Sequence, residues 1–267
     1  MIAQERQNQI IDLLERNGIV RTLELAEKFQ VTDETIRRDL QILSDDGQLT
    51  RVHGGASRLS GRPRLRSFTE RQTLHVEKKQ AIAEKAVDLI RAGQTYAFDS
   101  STTVFELIRR LPDLPYRVVT NAYAVIDQLI LRDEVELILT GGRYHPKTQT
   151  FIGGDSYHSI RRHNINVAFL SCIGVDLQRG VSEGFEEQAI FKEALMQMAE
   201  QTVLLVDSTK LDKRSEYFFG NLNQISRIIT DAEADPVLLS ELAASGCEVT
   251  IAELHPSTDP TTSEPPT

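Results

Sequence analysis

Val31-Thr32-Asp33-Glu34-Thr35-Ile36-Arg37-Arg38-Asp39-Leu40 decides how the rest of the chain is read. Thr32 is placed to cap the free backbone N–H groups of a helix start, and Asp33 and Glu34 occupy the first turn, where the helix dipole favours negative charge. Ile36, Leu40 and Leu43 recur at helical spacing as a buried stripe. At about 100° per residue, Glu34, Arg37, Arg38 and Gln41 fall on the opposite arc, with Thr35 at its edge. Arginine and glutamine hydrogen-bond guanine and adenine edges in a major groove, and a threonine can meet a thymine methyl or a phosphate. A solvated surface helix carries the same kind of arc, so the flanking sequence has to separate the two readings.

Upstream, residues 4–17 carry Ile10, Ile11, Leu13 and Leu14 on one side of a helix that Gly18 ends. Ile19-Val20-Arg21 reads as a short extended piece, Thr22 as the cap of a second helix over residues 23–29, and Gln30-Val31 as a turn. Two short helices joined by such a turn, the second presenting polar side chains outward, form a helix-turn-helix. Downstream, residues 49–52 and 56–59 alternate across His53-Gly54-Gly55, as the hairpin of a wing would. Residues 51–71 hold Arg51, Arg58, Arg62, Arg64, Arg66 and Arg71 against Glu70 alone. In a chain of net charge −9, positive charge is thus gathered beside the arginine-bearing helix, as contact with phosphates requires. Asp39 lies nearer the buried stripe, and a carboxylate facing phosphates would repel them, so it is assigned to local pairing. The DNA-reading set is Thr35, Arg37, Arg38 and Gln41, with Arg51, His53 and Arg58 on the wing.

At 267 residues and 40% hydrophobic content the chain accommodates two domains with real cores. It lacks an apolar run of about 18 residues, and Met1-Ile2-Ala3-Gln4-Glu5-Arg6 turns polar too early for a signal peptide. A cytoplasmic protein without a membrane partner is expected. Cys172 and Cys247 sit in apolar surroundings and read as core residues rather than a disulfide framework. The six histidines show no HxxxH or HExxH spacing, so no metal site is expected and no cofactor is called for.

Residues 61–74 are basic, contain Pro63 and lack apolar periodicity. They read as a linker between a winged helix-turn-helix domain at 1–60 and a second domain at 75–252, with a disordered Pro/Ser/Thr-rich tail at 253–267. In the second domain an amphipathic helix over 76–91 precedes strands at 95–98, 117–120, 135–139, 167–171, 203–206 and 227–230. Helices such as 122–131, 186–200 and 236–245 lie between them, which predicts an α/β fold with a mainly parallel sheet. Ligands of such sheets bind beyond the carboxyl ends of the strands, and the loops there share a chemistry. They are Asp99-Ser100-Ser101-Thr102-Thr103, Thr120-Asn121, Thr140-Gly141-Gly142, Gly174-Val175-Asp176 and Asp207-Ser208-Thr209-Lys210. Hydroxyls and backbone N–H groups at a helix start cradle phosphate, a carboxylate and an amide suit sugar hydroxyls, and a lysine neutralises charge. Any one of these loops is also an ordinary cap or turn. The coincidence of five points to an anionic, hydroxyl-bearing ligand.

The register Arg6-x3-Ile10-x3-Leu14-x17-Thr32-x2-Thr35-Ile36-Arg37-Arg38-Asp39-Leu40, followed by His53-Gly54-Gly55-Ala56, resembles the signature of the DeoR family of bacterial transcriptional regulators. Residues 75–252 resemble that family's sensor domain, which is similar in fold to ribose-phosphate isomerases and coenzyme A transferases. The matching pieces are the five strand-end loops together with Val118-Val119 and Ile229-Thr230-Asp231. The resemblance implies a repressor of sugar or nucleoside catabolism genes that binds duplex operator DNA as a homo-oligomer and senses a phosphorylated sugar. It implies effector contacts at Asp99, Ser100, Ser101, Thr102, Thr103, Asn121, Gly141, Gly142, Asp176, Glu187 and Lys210. Ser101 stands where the family commonly has glycine. A competing reading is an isomerase-like enzyme with an accessory DNA-binding domain, in which Glu187 or Asp176 is the base. The isomerases carry a second acid shortly after the residue that Asp176 resembles, whereas Leu177, Gln178 and Arg179 follow here, so no catalytic residue is assigned. A purely protein-binding helix-turn-helix leaves the clustered arginines unexplained.

Overall fold

A computed structural model describes residues 3–45, 48–57 and 66–254, so Arg58 and residues 255–267 of the predicted tail lie outside the described residues, while Leu254, also assigned to the tail, packs against a core. The chain divides into two compact units, Met1–Leu65 and Arg66–Thr267.

In the first unit α1 (Ala3–Asn17), β1 (Ile19–Arg21), α2 (Thr22–Phe29), α3 (Asp33–Asp45), β2 (Thr50–Val52) and β3 (Gly55–Ser57) follow in order. The apolar stripes read from the sequence meet in one core of Ile10, Ile11, Leu14, Val20, Leu25, Phe29, Ile36, Leu40, Leu43, Leu49 and Ala56. Gly18, at φ 74°, turns the chain out of α1, and Gln30, also left-handed at φ 54°, turns it between α2 and α3. The strands form an antiparallel sheet of order β1-β3-β2, so the extended piece after α1 is the third strand of the wing. Thr22 is not the cap expected of it. It is the buried first residue of α2, Arg21 is the N-cap without a side-chain bond, and the Thr22 N–H donates to Gly54 O at 2.8 Å. Gly55 has no room for a side chain, since a Cβ there would lie 2.0 Å from Val20 O.

The second unit opens with α4 (Phe68–Gln72) and α5 (Val76–Val87). Then come β4 (Thr95–Phe98), α6 (Thr102–Ile108), β5 (Tyr116–Thr120), α7 (Tyr123–Leu129), β6 (Val135–Leu139), the hairpin β7 (Arg143–His145) and β8 (Thr150–Ile152), and α8 (Gly154–Ile160). The chain continues through β9 (Ile165–Leu170), β10 (Gly174–Asp176), β11 (Gly180–Glu183), α9 (Glu186–Met198), β12 (Ala199–Leu205), β13 (Tyr217–Gly220), β14 (Arg227–Asp231), α10 (Pro236–Ala244) and β15 (Glu248–Ala252). Seven strands form an all-parallel sheet of order β15-β14-β12-β9-β4-β5-β6. Alternate residues of one strand feed the two faces: Tyr96 and Phe98 join one core, and Ala97 between them joins the other. Each face is thereby covered, as the unbroken apolar runs of the strands demand. The segment read as a linker is partly a folded element. Ser67 caps α4 in a capping box with Glu70, and Phe68 is buried edge-on against Phe105 at 5.6 Å, so the second unit begins at Arg66 rather than at 75.

The chain enters the sheet at β4 and builds β5 and β6 on one side, then β9, β12, β14 and β15 on the other. The order therefore reverses between β4 and β9, and in open parallel sheets ligands bind beyond the carboxyl ends of the strands at such a switch point.

Candidate DNA-recognition surface and effector site

Helix α3 presents the side chains read from its sequence. Ile36, Asp39, Leu40 and Leu43 are buried, whereas Glu34, Arg37, Arg38 and Gln41 are exposed. Thr32 caps the start, its Oγ1 accepting from the Thr35 N–H at 3.3 Å and meeting Thr35 Oγ1 at 2.9 Å, so the Thr35 hydroxyl is engaged locally. Arg37 lies 3.7 Å from Asp33, and Gln41 Nε2 donates to Asp45 Oδ1 at 2.8 Å; both contacts are exposed and weak. Arg38 has no hydrogen bond or ion pair with another described residue. On the wing, Arg51 Nη1 donates to the Arg37 carbonyl at 3.2 Å, and His53 stands exposed beside Gly54 at φ 78°. Asp39 is held away from this surface, 3% exposed, with Arg6 Nε at 2.5 Å from one carboxylate oxygen and Gln7 Nε2 at 2.9 Å from the other. The pair fastens α3 to α1.

At the switch point of the sheet the second unit gathers buried charge. Asp99, at the end of β4, accepts from the Ser101 N–H at 2.8 Å and the Ser171 N–H at 2.9 Å, and lies 3.0 Å from Lys192 Nζ. Lys192 also binds Glu183 and donates to Ser171 O at 2.7 Å, and with Asp99 and Glu183 beside it its ammonium is held above the usual range although burial opposes the charge. Lys210 Nζ lies 3.4 Å from Asp207 Oδ2 and 3.3 Å from Ser171 Oγ. Burial would raise the Asp207 carboxyl, but Lys210 and the Thr209 hydroxyl bring it down to about 2. Gln188 Nε2 donates to Ser100 Oγ at 3.0 Å. Arg71, from α4, is drawn electrostatically to Glu183 and Asp99, yet its Nε and Nη2 are shut from solvent without an acceptor. Lys79 is buried and makes one hydrogen bond, to Arg71 O at 2.5 Å. Thr103 Oγ1 and Asn121 Oδ1 are likewise buried without a hydrogen-bond partner. Native interiors leave few polar groups in this condition, and here they come from α4, α6 and the loop after β5.

The expected effector residues therefore divide. Asp99, Ser100 and Lys210 meet directly or through Ser171, Gln188 and Lys192, whereas Thr103 and Asn121 contribute unpartnered atoms. Ser101 is spent on capping α6, accepting from Val104 N–H at 3.3 Å, which is what a serine rather than a glycine does there. Thr102 Oγ1 reaches Arg71 O at 3.5 Å. Asn121 Nδ2 donates to Phe151 O at 3.0 Å. Gly141 and Gly142 both hold positive φ, and a Cβ on Gly142 would meet Ile152 O at 2.7 Å, so they shape the approach to the β7–β8 hairpin. Asp176 is turned away into its own hairpin, paired with Arg214 and accepting from Gln178 N–H at 3.0 Å and Arg179 N–H at 2.7 Å. Its carboxyl is lowered first by Arg214, and among the described residues it touches none of the strand-end groups above. Glu187 lies in the first turn of α9 near His145 and Tyr157, away from Lys210, and its carbonyl accepts from Tyr157 Oη at 3.2 Å. Arg71, Lys79, Glu183, Gln188 and Lys192 were not foreseen. A signal existed for two of them: Lys79 shares a stripe with Ile82, Ala83 and Ala86, and Lys192 with Ala189, Leu195 and Met196, and a lysine on an apolar stripe needs a reason.

A shallow polar cleft lined by Leu111, Asp113, Leu131, Arg132, Asp133 and Glu134 lies at the amino ends of the strands, away from the unpartnered groups. Both cysteines are buried, and burial pushes the Cys172 thiol up to about 12, which makes it inert. Among the described residues no His, Cys, Asp and Glu cluster could hold a metal ion, and no helix is long and apolar enough to cross a membrane.

Comparison with known proteins matches both units. A family model described as a DeoR-like helix-turn-helix domain covers residues 6–62, and one described as the DeoR C-terminal sensor domain covers residues 74–232. The L-fucose operon activator of Haemophilus influenzae is 34% identical over 85% of this chain and 91% of its own. A putative aga operon transcriptional repressor of Escherichia coli O157:H7 is 32% identical over 92% of each chain. Among solved structures, ribose 5-phosphate isomerase A of Methanocaldococcus jannaschii aligns with 50% of this chain and 53% of its own, at 17% identity and a TM-score of 0.38. The relatives are named as regulators, and the two family models account for the helix-turn-helix and for most of the α/β unit. The chain belongs to the DeoR family of DNA-binding transcriptional regulators.

Proposed function

We propose that the protein represses genes of sugar or nucleoside catabolism and that a phosphorylated sugar controls its hold on duplex operator DNA. Arg38 and Gln41 read base edges, Arg37 and Thr35 flank them, and Arg51, His53 and Arg58 on the wing engage phosphates. In the sensor, Arg71, Lys79 and Lys210 receive the phosphate, and Thr103 and Asn121 bind hydroxyls of the sugar. Asp99, Glu183 and Lys192 form the floor that positions Ser171, and Gln188 holds the Ser100 hydroxyl. Asp176 and Glu187 fall outside this arrangement. The observation that carries the reading is donors and charge without a partner: Arg71 presents two buried nitrogens that lack an acceptor, beside a buried lysine that pairs with no carboxylate among the described residues. A buried cation needs an anion, and a phosphate dianion supplies one. Helix-turn-helix proteins span two half-sites about one helical turn apart as dimers, so the protein acts as a homo-oligomer in the cytoplasm.

A thermal-shift screen of sugar phosphates and their unphosphorylated parents tests this. A true effector at 100 times its Kd stabilises the chain by about 2.7 kcal/mol, and the parent sugar does not. Stabilisation by unphosphorylated sugars alone would overturn the phosphate assignment.

A further inference from the structure

Lys78 and Lys79 are neighbours on α5 with opposite surroundings. Lys78 Nζ lies 3.2 Å from Asp231 Oδ1 and 2.7 Å from Glu233 Oε2, and donates to Ser208 Oγ at 2.6 Å. Burial works against its charge, but Glu233 and Asp231 outweigh burial and hold its ammonium above the ordinary lysine range. Lys79 is 3% exposed, and its hydrogen bond goes to a carbonyl, not to a carboxylate. The charged groups that face it are Arg71 from α4, Lys210 and Asp207 from the turn after β12, and Glu106 from α6. Both acids are already engaged. Asp207 lies 3.4 Å from Lys210, and Glu106 lies 3.3 Å from Arg109 and 2.6 Å from Arg110. Lys79 is thus a surplus cation, whereas Arg71 shares Glu183 and Asp99 with Lys192 and lacks only hydrogen-bond acceptors for Nε and Nη2. Burial first, and then Lys210, push the Lys79 amine down to about 7.

We propose that this site binds a proton together with its anion: Lys79 is neutral in the empty site at mildly alkaline pH and becomes an ammonium when a phosphate-type dianion settles among Lys79, Arg71 and Lys210. The proposal rests on the reading of this cluster as an anion receptor. Proton and anion are then linked ligands, each strengthening the other. Above the midpoint of the empty site, anion affinity falls about tenfold per pH unit. Below about pH 6 a phosphate ester loses its own second charge. The metabolite is therefore sensed best in a window between about pH 6 and pH 7, and the switch weakens as the cell turns alkaline.

The full chain, labelled with carbon-13 at the lysine ε-carbons, is titrated by NMR with and without sulfate, a dianion over the whole range that carries no titrating proton. One resonance, absent from Lys79→Arg, is expected to titrate near pH 7 without sulfate and to move up by about three units at saturating sulfate. Sulfate affinity is expected to fall about eightfold between about pH 7.5 and about pH 8.5 in the wild type and to change less than about twofold in Lys79→Arg. Where Lys79→Arg fails to fold, Lys79→Met identifies the resonance. An ordinary midpoint for Lys79, a midpoint that sulfate does not move, or a chain that sulfate does not bind would each overturn the proposal. An ordinary midpoint overturns proton linkage alone, because the phosphosugar reading is decided by the thermal-shift screen.

Discussion

Removing the Asp39 carboxylate separates a structural role from a DNA contact. Asp39→Ala leaves the guanidinium of Arg6, which is 8% exposed, buried without its counter-charge, and leaves Gln7 without its acceptor. Breaking one side of a buried pair costs about 3–5 kcal/mol. A unit of this size, at roughly 0.05–0.15 kcal/mol per residue, has about 3–10 kcal/mol in total, so most of its stability goes. The chain offers a clean assay: it has no tryptophan, and all six tyrosines (Tyr96, Tyr116, Tyr123, Tyr144, Tyr157 and Tyr217) lie in the second unit. Under urea, tyrosine fluorescence is expected to keep its midpoint in Asp39→Ala, while part of the far-ultraviolet dichroism melts early and operator binding fails with it. The pair replaced whole, Arg6→Met/Asp39→Leu, is expected to recover most of the loss, because apolar replacement of a buried ion pair is often neutral or better. A loss below about 1 kcal/mol with altered operator affinity would refute the reasoning and place Asp39 at the DNA.

Arg38→Ala is expected to cost about 1–3 kcal/mol at the operator and to relax base preference, whereas Arg58→Ala weakens all sequences alike and flattens the salt slope; footprinting and salt titration distinguish them. Gly55→Ala sets a methyl 2.0 Å from Val20 O, so the wing and β1 separate, and the first unit is expected to lose about 1–3 kcal/mol or more in the same urea assay. Asp207, held down to about 2 against about 3.9 unfolded, contributes about 2–3 kcal/mol that is present above about pH 4 and lost as pH falls towards 2. Urea unfolding followed by tyrosine fluorescence at about pH 5 and about pH 2.5 is expected to show that loss in the wild type and a flatter profile in Asp207→Asn.

Much of the fold was legible because period and burial agree. The stripe Ile36, Leu40, Leu43 and the apolar runs of β4, β6 and β14 sit where their patterns put them. β15, Glu-Val-Thr-Ile-Ala at the sheet edge, alternates only weakly and was read past. The three-residue strands β7, β8 and β10 are too short for any period to show, and β11 and β13 pair across a register shift. α4 was hidden because its sequence, Phe-Thr-Glu-Arg-Gln, carries a single apolar residue; the capping box Ser67/Glu70 was the available sign. In the site, polar loops were found because they follow strands, but their side chains compete for the same backbone, and Ser101 and Asp176 are consumed locally. Lys210 was legible in its strand-end loop, whereas Arg71 and Lys79 come from helices, where a cation ordinarily signals solvent.

An anion bound among Arg71, Lys79 and Lys210 is expected to change the grip on DNA. Operator affinity, measured by fluorescence anisotropy with and without the sugar phosphate selected by the thermal-shift screen, tests it on the wild type and on Lys210→Ala side by side. The wild type is expected to change about 5–150-fold, a coupling of roughly 1–3 kcal/mol, and Lys210→Ala to keep its metabolite-free affinity while changing less than about twofold. A Lys210→Ala chain that responds at the same metabolite concentrations as the wild type would place the anion away from Lys210.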